Sequence, residues 1–238
     1  MHLFSYRLKN FRRLKDAHIE LASDISIFVG SNNSGKTSAT QALQNFVSAS
    51  KDRFSLFDFS SATWKALDAA GEQVAERLGG VPFTGVWHSP MQVATETAQI
   101  VKASMPSLDP QPSALLFDCV PSGPTPDMPA AFLPFFGSVT DAEIEAGEAQ
   151  MTDAGAEWLT PCREDRHDLL ITHNFVVGWF VREVFEAPAW RWMGVNQANC
   201  GLTIIRVRSV KSPELVTHND LGHLPVELRT GLSVPQPL

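Results

Sequence analysis

Apolar and polar positions alternate along "MHLFSYRLKNFRRL" and again along "AHIEL", a period of two that predicts a strand pair at the start of the chain. "DISIFVG" is a continuous β-branched run closed by glycine, the pattern of a buried central strand. In "SNNSGKTSATQALQNFVSAS", which follows, Ala42, Leu43, Phe46 and Val47 are spaced for one helix face. The pattern changes from about Ala66 onward. "LDAAGEQVAERLGG" predicts an amphipathic helix with Val74, Ala75 and Leu78 on its apolar face, stopped by the glycine pair. "FTGVWHSP" predicts a short strand entering a turn, and "MQVATETAQIVKAS" a second helix with Met91, Ala94 or Thr95, Ala98 and Val101 inward. "ALLFDC" has the apolar run of a strand, and the proline-rich "VPSGPTPDMPAAFLPFFG" after it fits neither regular structure. "TDAEIEAGEAQMTDAGAEWL" opens with Thr140 as a helix cap and Glu143 at the capping-box position. "HDLLITH" predicts a buried strand, "NFVVGWFVREVF" a helix and "CGLTIIRV" another strand. The alternation describes an α/β fold, a layered sheet with helices on both faces.

Composition adds limits rather than chemistry. The 238 residues suffice for one large domain or two small ones, and 44% hydrophobic content suffices for a core. A net charge of −7 argues against a general affinity for nucleic acid or an anionic membrane. Arg7, Lys9, Arg12, Arg13 and Lys15 make the first segment locally basic, which on a strand pair reads as a solvated face. Cys119, Cys162 and Cys200 are odd in number and scattered, which suits a reducing compartment and gives no metal-ligand spacing. With no signal-peptide pattern and no apolar run of membrane-spanning length, the expectation is a cytoplasmic protein.

"GSNNSGKTS" carries the first candidate chemistry. Gly30 to Thr37 reads G-x-x-x-x-G-K-T between an expected strand and an expected helix, the context a phosphate-binding loop requires. Gly30 and Gly35 let the backbone wrap a phosphate, so that the N–H groups of Asn32, Asn33, Ser34 and Ser38 and the helix start can point at it. Lys36 would reach the β- and γ-phosphates, and Thr37 would hold Mg²⁺ through its hydroxyl. The stretch from Met1 to about Trp64, through "LKNFRRLKDAHIEL", "ISIFVGSNNSGKTSATQAL" and "KDRFSLFDFS", resembles the N-terminus of overcoming-lysogenization-defect ATPases, relatives of the ABC and SMC ATPases. In that family the lysine and threonine matching Lys36 and Thr37 bind ATP and Mg²⁺. A signature motif and a Walker B strand would have to follow. "ALLFDC" is the one Walker B candidate, but Cys119 stands where a catalytic glutamate belongs and no "LSGGQ"-like run occurs.

The remainder, about Ala66 to Thr230, resembles the histidine phosphatase superfamily, with its phosphoglycerate-mutase-like fold. The likeness rests on "LDAAGEQVAERL", "HSPMQVATETA", "LLFDCVP" and "LLITHNFVVGWFVREVF", with "NQANCGLTIIRV" and "THNDLGHLP" closing it. It implies that His173 is the second family histidine, which contacts the phosphoryl group, and that Asp118 is the general acid. A general acid must hold its proton near neutral pH, as a carboxyl near apolar walls can. Ser89 and Asn174 join the implied phosphate pocket. Ser89 and Thr97 flank the position of the family's phosphate-binding arginine, which here is Val93, a side chain with no hydrogen to donate. The arginine–histidine–glycine triplet that supplies the family's nucleophile is absent, and Arg166 and His167 in "DRHD" precede their strand, at its wrong end.

The two resemblances meet at "SATWKALDAAGEQ", giving a truncated ATPase segment over 1–65 and a phosphatase-like domain over 66–238 that lacks its first strand and catalytic loop. No Gly/Ser linker separates them. Both the lost phosphatase segment and "DISIFVGSNNSGKT" are strand, phosphate loop and helix, so one could fill the place of the other, with Lys36 near His173 and Asp118. The expected function is a degenerate histidine-phosphatase protein that binds ATP or another phosphate ligand. A weak phosphomonoester hydrolase and a partner-dependent ATPase fragment are the alternatives.

Overall fold

A computed structural model describes residues 4–11, 14–22, 39–40, 42–44 and 61–231. The chain divides into two compact units, Met1–Leu67 and Asp68–Leu238.

In the first unit, β1 (Ser5–Phe11) and β2 (Leu14–Glu20) form the expected antiparallel pair, with Ser5 opposite Glu20 and Phe11 opposite Leu14. Arg7 donates to both carboxylate oxygens of Asp16, at 2.6 and 2.5 Å, so part of the basic face is neutralised locally. Residues 39–40 and 42–44 are helical, with Ala39 and Ala42 buried and the Tyr6 hydroxyl donating to the Ala39 carbonyl at 3.1 Å. Gly30 through Ser38, and the run "DISIFVG" before them, lie outside the described residues.

Helix α1 (Ser61–Leu78) starts earlier than its pattern suggested, and Ala70, Val74, Ala75 and Leu78 are buried on one side. Next come β3 (Gly85–His88), α2 (Gln92–Ser104), β4 (Gln111–Pro112), α3 (Asp141–Trp158), β5 (Asp168–Ile171), α4 (Asn174–Val184) and the hairpin β6 (Leu202–Arg208) and β7 (Lys211–Asp220). Strands β4, β3 and β5 form a parallel sheet in that order, with β3 central; β6 and β7 pair antiparallel. Helix α2 buries Ala94, Ala98 and Val101 as expected, but Met91 is exposed because it caps the helix in extended geometry rather than lying on its inner face. Thr140 accepts from the Glu143 N–H while the Glu143 carboxylate takes the Thr140 N–H, the reciprocal box that satisfies two otherwise unpaired donors.

Two further expectations fail for physical reasons. "ALLFDC" is not a strand: Ala114–Leu116 make a 3₁₀ turn. Its carbonyls are taken by side chains instead of a ladder, Leu115 and Phe117 by Gln150 at 3.2 and 2.9 Å and Leu116 by Thr172 at 2.8 Å. "HDLLITH" reads as a fully buried strand, yet every residue of β5 is only half-buried, because among the described residues it pairs on one side alone.

The main core collects Leu116, Met151, Ala154, Val176, Trp179, Phe180 and Trp192. Trp192 is completely buried, and Phe175 and Phe135 pack against it edge to face, with centroids at 4.8 and 5.9 Å. A buried indole of this kind covers on the order of 200 Å², worth at most about 5 kcal/mol of transfer free energy. Its N–H donates to the Ser122 hydroxyl at 2.9 Å, and Ser122 in turn donates a hydrogen bond to the Ala189 carbonyl at 2.8 Å. Gly178 lets α4 approach this region, since a Cβ there would meet the Trp192 carbonyl oxygen at 2.8 Å.

Candidate functional site

Parallel strands in register deliver consecutive residues to the same end. His88 lies opposite Ile171, so the residues that follow β3 and β5 emerge together at the carboxyl end of the sheet, where α/β folds gather ligands. The Ser89 N–H donates to the Ile171 carbonyl at 2.9 Å, extending the ladder by one bond. Two residues further on, His173 Nε2 stands 2.8 Å from Ser89 Oγ. Ser89 is completely buried, and its oxygen also accepts the Met91 N–H at 3.2 Å. His173 is half-buried and caps α4 in extended geometry, its carbonyl accepting the Val177 N–H at 3.0 Å. Burial pushes the His173 pKa below the ordinary imidazole value; the Asp118 charge opposes that shift without reversing it.

Asp118 is brought to His173 by the 3₁₀ turn. Ser113 N–H donates to the His88 carbonyl at 2.9 Å, Thr172 holds Leu116, and Gln150 on α3 holds Leu115 and Phe117. The turn is thus fixed to the ends of β3 and β5 and to α3. Asp118 itself is exposed. Its neighbour Cys119 is half-buried, and burial followed by the Asp118 charge pushes that thiol up to about 12. Asn174 uses its side-chain oxygen to accept the Gln197 N–H at 2.5 Å, which ties the start of α4 to the segment before β6. Val93 is 51% exposed on the first turn of α2, and Thr97 donates its hydroxyl to the Val93 carbonyl at 2.9 Å.

Ser89, His173, Asp118 and Asn174 are therefore gathered at one end of the sheet. None of the hydrogen bonds at Ser89 or His173 among the described residues involves an arginine or lysine. Arg166 and His167 sit at the other end. The His167 carbonyl accepts the Thr84 N–H, and Arg166 pairs with Asp168 at 2.6 Å. A cavity of about 470 Å³ lined by Trp87, Glu157, Arg166 and Asp168 opens there, away from His173. Thr172 and Gln150 escaped the sequence reading. Thr172 is a polar residue at the end of an apolar strand, which is a readable signal; the reach of Gln150 to a turn 33 residues earlier is not.

Solved structures share this fold. The alpha-ribazole phosphatase from Shigella flexneri superposes with a TM-score of 0.51 and 14% identity, covering 70% of this chain and 85% of that one. Bacillus stearothermophilus YhfR does so with 0.51 and 18%, covering 67% and 84%. The fold is phosphoglycerate-mutase-like. The same histidine-phosphatase likeness extends to sequence: the mitochondrial serine/threonine-protein phosphatase Pgam5 of Caenorhabditis briggsae is 27% identical over 171 residues, 67% of this chain. Its Caenorhabditis elegans counterpart is 28% identical over 172 residues. The chain spans 58% of the length of these two relatives. The family profile of the AAA ATPase domain matches residues 1–97, which supports the P-loop segment and runs past the boundary between the two units into α2. The phosphoglycerate-mutase-like part supplies His173 and Ser89 from the carboxyl ends of its parallel strands.

Proposed function

We propose that the chain is a catalytically degenerate member of the histidine phosphatase superfamily that binds phosphorylated small molecules or nucleotides at the carboxyl end of β3 and β5. The observation that carries this reading is His173, held by Ser89 beside Asp118, with valine at position 93 and no arginine–histidine–glycine triplet in the sequence. A phosphoryl group could be contacted by His173, but no phosphohistidine can form on a residue that is absent. Lys36, Thr37 and the glycines of the P-loop are proposed to bind ATP and Mg²⁺, a reading supported by the AAA ATPase profile over residues 1–97. As a cytoplasmic protein it would meet such ligands free in solution; among the described residues no helix is long and apolar enough to cross a membrane.

A second reading is a weak phosphomonoester hydrolase. It is supported by Asp118 lying near enough to His173 for its charge to act on the ring, from where the same carboxyl, once protonated, could serve a leaving oxygen. Isothermal titration with ATP–Mg²⁺ and with inorganic phosphate, on wild type, Lys36→Ala and His173→Ala, tests the proposal. Loss of nucleotide binding in Lys36→Ala and of phosphate binding in His173→Ala is expected. Nucleotide binding unchanged by Lys36→Ala would remove the P-loop from the account.

A further inference from the structure

The proton on the Ser89 hydroxyl decides what His173 can offer a ligand. Ser89 is sealed from solvent, and its oxygen has two side-chain hydrogen bonds among the described residues, to the Met91 N–H and to His173 Nε2. A serine hydroxyl has one proton to give and can accept twice. The Met91 contact uses an acceptor position, because a backbone N–H can only donate. Were His173 Nε2 protonated, it too would donate to Ser89, and the serine proton would be left in the interior with no acceptor. Such a stranded donor costs about 1–3 kcal/mol. The reverse assignment satisfies every group: Met91 donates to Ser89, and Ser89 donates to an unprotonated Nε2.

We infer that Ser89 is a positioning residue that fixes the tautomer of His173, so that the neutral ring carries its proton on Nδ1 and presents an N–H donor to the site. This deepens the reading of His173 as the ligand contact and rests on it. The ring is half-buried, and Nδ1 makes no hydrogen bond among the described residues and is not sealed from solvent, which leaves it available to a ligand. Burial favours the neutral ring, for which the question of tautomer arises. Two consequences follow for chemistry. His173 can donate to an oxygen of a bound phosphate or ester, but it has no free lone pair with which to replace the missing nucleophile. The hydrogen bond made by one ring nitrogen thereby sets the task of the other.

The test reads the free protein and needs no ligand. Long-range ¹H–¹⁵N correlation spectra of uniformly ¹⁵N-labelled protein at pH 8 distinguish protonated from bare ring nitrogens, with the His173 signals assigned by their loss in His173→Gln. Wild type is expected to show Nδ1 protonated and Nε2 bare. Ser89→Ala should exchange or average the two signals, and Ser89→Thr, which keeps the hydroxyl, should restore the wild-type pattern. If either variant fails to fold, the wild-type spectrum alone decides. A wild-type ring protonated on Nε2 overturns the inference, as does a Ser89→Ala spectrum identical to wild type. Because no ligand is present, failure to bind phosphate would defeat the proposed function and leave this result standing.

Discussion

Val93→Arg should tighten the binding of inorganic phosphate at the proposed site. Val93 is exposed on the first turn of a thirteen-residue helix that begins three residues after Ser89. A surface substitution there changes stability by no more than about 0.5 kcal/mol. The two hydrogen bonds of a bidentate guanidinium–anion contact contribute about 1.5–3 kcal/mol each where they are shielded from water. Ordering a long arginine side chain costs up to about 2 kcal/mol, and solvent screening reduces the rest. A net gain of about 1–2 kcal/mol remains, roughly a 5- to 30-fold tighter dissociation constant for inorganic phosphate. The assay is a phosphate titration followed by ³¹P line shape or calorimetry on wild type, Val93→Arg and Val93→Arg with His173→Gln. The gain should appear in the single variant and shrink in the double one. A folded Val93→Arg protein with wild-type phosphate affinity would refute the placement of this helix turn beside the ligand.

His173 and His218 both have pKa values lowered by burial, with the Asn196 carbonyl partly offsetting the shift at His218. Above the ordinary imidazole value of about 6.5 both folded and unfolded chains hold them neutral; as pH falls below it the unfolded chain takes up protons first, so stability drops toward pH 5. Urea midpoints across pH 8 to 5 should show the decline, and His173→Gln should flatten it. Iodoacetamide at pH 8 should modify Cys162, which is exposed, and spare Cys119 and Cys200, whose thiols burial pushes to about 12 and about 11; mass spectrometry should count one adduct natively and three after denaturation. Gly147→Ala would drive a methyl into the Val120 carbonyl oxygen, an obstacle of backbone that cannot step aside, and should lower the melting temperature with a loss of about 1–3 kcal/mol or more. Ser122→Ala should cost about 1–3 kcal/mol by leaving the Trp192 indole N–H without its acceptor, read as a shifted urea midpoint.

Local features were legible in the sequence because they depend on neighbours within a few positions. The capping box at Thr140, the apolar faces of α1 and α2, and the strands of "VWH" and "DLLI" all needed only spacing and turn chemistry. Long-range pairing was not legible. Nothing in "ALLFDC" reveals that Gln150 and Thr172 will take its carbonyls, so a strand-like run folds as a 3₁₀ turn. Likewise "HDLLITH" has the composition of a buried strand yet is only half-buried, with one strand beside it among the described residues, because burial depends on which strands arrive there. The site stands between these cases. Resemblance singled out Ser89, Asp118, His173 and Asn174, but the bond between Ser89 and His173, 84 residues apart, follows from the parallel register of β3 and β5. That bond, rather than either residue alone, defines what the histidine can do.

On the proposed function, the phosphoglycerate-mutase-like site binds phosphorylated ligands without turning them over. The most direct measurement is phosphate release from a phosphomonoester such as p-nitrophenyl phosphate by wild type, Lys36→Ala and His173→Ala, each at enzyme in excess of substrate. The account predicts that all three stay at the uncatalysed rate. Release that persists in Lys36→Ala and disappears in His173→Ala would contradict it.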